Sequence, residues 1–90
     1  MNSKLFSKPY KTKEEAQDAY EFELFRPAMV FETPIGFVYA EIYANVYDNV
    51  AEVARDVEKL LRYKWVSTCD PLLGIWKSVD AYLDRVNAAG

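Results

Sequence analysis

The apolar positions Tyr39, Tyr43, Val46, Val50, Val53, Val57 and Leu60 follow one another in steps of four and three, the spacing that aligns side chains on one face of an α-helix. Glu41, Asn45, Asp48, Glu52, Arg55, Lys59 and Arg62 keep the same steps on the opposite side. Two residue classes agree on one phase, which predicts a long central helix. Thr33 is a fitting N-cap and Pro34 a fitting first residue, so the helix extends from Pro34 to Lys64. At about 1.5 Å per residue it is roughly 45 Å long. Before Asp48 only Glu41 and Asn45 interrupt its apolar surface, so that half needs cover from the N-terminal third or from a second copy of the chain.

The same patterning places two shorter helices. Thr12 and Glu15 have capping-box spacing, so a helix starts at Lys13, presents Ala16, Ala19, Tyr20 and Leu24, and ends before Pro27. Tyr20, Phe22 and Leu24 also alternate with Glu21 and Glu23, which keeps a strand over 20–25 as the alternative there. Trp65 to Asp70 reads as a turn, and Asp70-Pro71 starts a last helix over 71–87. Leu72, Trp76, Val79, Leu83 and Val86 form its stripe, widened by Ile75 and Tyr82.

The predicted fold is therefore all-α: a small antiparallel three-helix arrangement around one long central helix. The alternative is α+β, with a β-hairpin at about 28–44 packed on helices. In that reading Pro34-Ile35-Gly36 is a three-residue loop between strands 28–33 and 37–43, and Phe31 faces Tyr39.

Composition changes this picture in two ways. Ninety residues, 51% hydrophobic and 16% aromatic, make one folded domain, and seven tyrosines are more than its core needs, which points to an interface. Charge is unevenly distributed. Residues 1–13 carry Lys4, Lys8, Lys11 and Lys13 and no acid, so residues 1–11 form a basic extended arm ahead of a single helical domain over 12–90. Residues 14–58 hold eleven acids against Arg26 and Arg55, a balance that suits docking on a basic partner. The net charge of -3 argues against direct binding of nucleic acid.

Catalytic vocabulary is thin. The chain has no histidine and one cysteine, Cys69, which removes disulfide frameworks, Cys/His zinc sites and histidine-activated nucleophiles. Gly36, Gly74 and Gly90 are too scattered for a phosphate-binding loop. Asp80 with Asp84, and Glu52 with Asp56, lie one helical turn apart, but on predicted solvent faces, so no metal or cofactor is expected. No stretch is apolar enough to span a membrane, and the expected location is the cytoplasm.

These readings point away from an enzyme and toward a small protein–protein interaction module, an inhibitor or adaptor that occupies a partner with a basic surface. By class-level analogy, viral or mobile-element inhibitors of nucleic-acid-targeting host defence enzymes have this character. A homodimer is expected. The partner-binding candidates are Phe37, Val38, Tyr43, Tyr47, Glu14, Glu15 and Asp18. One alternative is an oligomer that sequesters an anionic small molecule such as a nucleotide through Lys4, Lys8, Tyr10 and Arg26. Another is a structural assembly component.

Overall fold

The computed structural model describes residues 6–21, 28–41, 50–70 and 74–89. Within them the order is α1 (Lys13–Ala19), β1 (Ala28–Thr33), β2 (Gly36–Glu41), α2 (Val50–Leu61), β3 (Lys64–Asp70), β4 (Ile75–Ser78) and α3 (Val79–Ala89). The strands form one antiparallel sheet in the order β2-β1-β3-β4. The fold is α+β, so the all-α class and the helical bundle are overturned, and the residues 12–90 are not all helical.

The segment Thr33-Pro34-Ile35-Gly36 decides this outcome. Thr33 caps a turn instead of a helix: its hydroxyl donates to the Gly36 carbonyl at 2.8 Å and accepts from the Ile35 amide at 3.2 Å. Pairing of Thr33 with Gly36 leaves a two-residue loop, one shorter than the hairpin alternative assumed. The register shifts accordingly, and Phe31 faces Val38 while Val30 faces Tyr39.

The four-three rhythm from Tyr39 to Leu60 therefore joins unlike elements. Tyr39 lies in β2, whereas Val50, Val53, Val57 and Leu60 lie in α2, and the positions between, 42–49, fall outside the described residues. Within α2 the buried positions are Val50, Ala54 and Val57, while Leu60 is 78% exposed and does not continue the seam. The case for a dimer drawn from a bare apolar helix from Pro34 loses its footing, because residues 36–41 are strand.

Two further expectations are corrected. Trp65 to Asp70 is the interior strand β3, and Ile75 to Ser78 is strand β4, so the last helix begins only at Val79. Ser78 accepts from the Ala81 amide at 3.2 Å and starts α3, the task expected of Asp70. In β3 the pairing with β1 steps from Val30 opposite Ser67 to Phe31 opposite Trp65, which leaves Val66 as a bulge. The bulge turns Trp65 and Thr68 to the same side, where the indole N–H donates to the Thr68 hydroxyl at 2.7 Å and satisfies a fully buried polar group.

Helices cover both sides of the sheet. On one side α2 and α3 enclose the main core of Met29, Phe31, Val38, Ala40, Val50, Ala54, Val57, Trp65 and Tyr82. Each large side chain buried there contributes about 1.5–3 kcal/mol before conformational entropy is counted. On the other side lies α1, whose start matches the capping box: the Thr12 hydroxyl accepts from the Glu15 amide at 3.0 Å, and the Glu15 carboxylate accepts from the Lys11 amide at 3.1 Å. The helix ends at Ala19, well before the predicted limit at Pro27.

Candidate functional site

Strand alternation sends Phe37, Tyr39 and Glu41 to the α1 side of β2 and Val38 and Ala40 to the core side. The first three are half-buried, so α1 leaves the margin of this face uncovered.

The N-terminal arm completes that margin by running along the free edge of β2. Ser7 and Tyr10 donate their amides to the carbonyls of Tyr39 and Phe37 at 2.9 and 2.7 Å, and Phe37 donates back to the Tyr10 carbonyl at 2.8 Å. The Tyr39 amide donates to the Ser7 hydroxyl oxygen at 3.0 Å. Gly36 makes this approach possible: its φ is +139°, and a Cβ there would sit 2.6 Å from the Tyr10 carbonyl oxygen. The arm also reaches both sides of the sheet. Phe6 packs edge-on against Phe31 and Tyr63 with centroids 6.1 and 5.4 Å away, while Tyr10 stacks on Tyr39 at 6.5 Å with an interplanar angle of 16°.

A run of rings extends from this stack across the α1 side. Tyr20, at the end of α1, meets Tyr39 edge-on at 5.7 Å and Trp76 edge-on at 5.8 Å. The Lys8 ammonium lies 5.4 Å from the centroid of the Tyr10 ring, within cation–π range. Beneath the helix, the Ser67 hydroxyl is 2.7 Å from the Gln17 side-chain oxygen and 3.1 Å from the Lys77 carbonyl oxygen. One hydroxyl proton serves one acceptor at a time. Turning the Gln17 amide, so that its nitrogen donates to Ser67, satisfies both contacts at once.

The charges along α1 are mostly acidic, with Lys11 and Lys13 at its start. Glu14, Glu15 and Asp18 are exposed along α1, and Glu21 is exposed just beyond it. The Tyr39 phenol is held above its ordinary pKa of 10.0, first by burial and then by the charges of Tyr10, Glu41 and Glu21.

The sequence-derived candidates distribute as follows. Phe37, Glu14, Glu15 and Asp18 share this face with Lys8 and Tyr10, whereas Val38 is 5% exposed and belongs to the core. Tyr43, Tyr47, Lys4 and Arg26 lie outside the described residues. Sequence reasoning passed over Tyr20, Glu41 and Trp76 as members of one surface, and took Tyr39 for part of a helix flank. The alternation of Phe37, Tyr39 and Glu41 was the available signal.

Glu52, Asp56, Asp80 and Asp84 are exposed, and among the described residues no group of three or more carboxylates or thiols comes together to hold a metal. Cys69 is not in a turn but buried within β3. Among the described residues no helix is long and apolar enough to cross a membrane. No protein-family model, no curated protein and no solved structure matches the chain.

Proposed function

We propose that this protein is a cytoplasmic binding module that docks its α1 side on a basic surface of a partner protein and acts, as inhibitor or adaptor, by occupying that surface. The observation that carries the reading is the juxtaposition of exposed Glu14, Glu15 and Asp18 with the half-buried rings of Tyr10, Phe37 and Tyr39. Tyrosine brings large contact area with a polar tip, and carboxylates steer a basic partner into register. A nucleic-acid-binding groove of an enzyme has the complementary chemistry, and a module seated in it blocks the enzyme without performing a reaction.

The test is affinity capture of a partner followed by measurement with the purified pair. Reversing Glu14 and Asp18 to Lys, at exposed positions on α1, lowers the association rate about tenfold or more at low salt and flattens its salt dependence. The melting temperature falls by only about a few degrees, because Glu14 stands in the first turn of α1. Retention of full affinity and of the salt dependence by the double variant overturns the reading.

A further inference from the structure

We infer that the Tyr10–Tyr39 stack is the seat for an arginine side chain of that basic partner, with Glu41 and Glu21 as the flanking carboxylates. The inference rests on the docking reading above and narrows it from a charged surface to one contact. Tyr10 and Tyr39 lie nearly parallel, 16° apart, on the uncovered margin of the sheet, and aromatic faces carry negative potential. Alternation along β2 puts Glu41 on the same side as Tyr39, and both Glu41 and Glu21 act electrostatically on the Tyr39 phenol.

The molecule already tests this position with a cation of its own. The exposed Lys8 ammonium lies 5.4 Å from the Tyr10 ring centroid, so this ring already attracts a cation. Arginine is the better occupant for a physical reason. Its planar guanidinium stacks on a ring and at the same time presents paired N–H donors to a carboxylate, which the compact ammonium of lysine cannot do.

Titration of the isotope-labelled full chain with N-acetyl-argininamide, read by NMR, supplies the test. Saturable shifts centred on Tyr10, Tyr39 and Glu41 are expected, weaker with N-acetyl-lysinamide and absent with the norleucine analogue. Tyr10→Leu keeps the net charge and removes the ring face, and lowers the affinity about fivefold. Tyr10→Phe keeps the ring and preserves binding, which separates loss of the seat from loss of the fold. Lys8→Ala removes the internal competitor and tightens binding.

Shifts spread evenly over Glu14, Glu15 and Asp18 and indifferent to Tyr10→Leu overturn the arginine seat. Docking of the captured partner stands in that case if it still depends on Glu14 and Asp18. Equal affinity for the arginine and lysine probes overturns the seat as well.

Discussion

On the side of the sheet covered by α2 and α3 the inward side chains are Met29, Phe31, Val38 and Trp65. On the side covered by α1 they are Ala28, Val30, Ser67 and Cys69, bordered by the rings of Tyr20, Tyr39 and Trp76. Helix length explains the difference. α2 and α3 are 12 and 11 residues long and together roof a broad apolar surface, while α1 has seven residues and covers a strip. Shorter side chains fit under the strip, and tyrosines with polar tips tolerate the wet margin around it. One side is therefore closed and supplies stability. The other carries the residues able to meet a partner.

The contrast breaks first at its strongest point. Phe31 is fully buried, so Phe31→Ala leaves a cavity and lowers the unfolding free energy by about 3–5 kcal/mol in urea denaturation. A loss below about 1 kcal/mol would mean that the closed side is not the main core.

Gly36→Ala ranks next, because the new methyl group meets the Tyr10 carbonyl at a backbone angle unfavourable to alanine. The expected loss is about 1–3 kcal/mol, with faster amide exchange at Tyr10 and Phe37 as the arm loosens.

A smaller effect sharpens the view of the α1 side. Because folding raises the Tyr39 pKa above 10.0, the fold favours the neutral phenol. That contribution is fully present below pH 10.0 and is lost as pH rises through the higher folded value, so stability falls across this window. In Tyr39→Phe the fall is shallower than in the parent chain, as denaturation midpoints at a series of alkaline pH values will show.

Least affected is the exposed end of α2. Leu60→Glu at a site 78% open to solvent changes stability by less than about 0.5 kcal/mol. A larger loss, or a drop in sedimentation coefficient, would show that Leu60 is covered by a second copy of the chain.

Sequence patterning reads some of this molecule well and misreads the rest for identifiable reasons. Thr12 and Glu15 mark the start of α1 because both ends of the capping box lie within four residues and need no tertiary context. The hairpin was legible only as the rival reading, since Thr33-Pro34 opens a helix or a turn with equal ease and the decision lies in the pairing of β1 with β2 and β3.

Strand β3 was hidden by its own chemistry. Ser67 and Thr68 are polar yet buried, with bonds to Gln17, Lys77 and Trp65 that no local pattern encodes. The bulge at Val66 adds to the disguise by breaking the two-residue alternation that marks a strand. The α1 surface was half legible. Its acids stand together in the chain, but Tyr10, Tyr20, Tyr39 and Trp76 meet only through the fold.

The arm on β2 has a consequence for synthesis on the ribosome. Ser7 and its partner Tyr39 are 32 residues apart, so at about 5–20 residues per second the arm emerges roughly two to six seconds before the strand it caps. β1 waits about as long for β3, since the paired residues Val30 and Ser67 are separated by 37 positions. Through that interval the arm can already cover β2 but the β1 flank of the nascent hairpin stays unzipped, and this is when neighbouring polypeptides on the same message have their best chance to entangle with it.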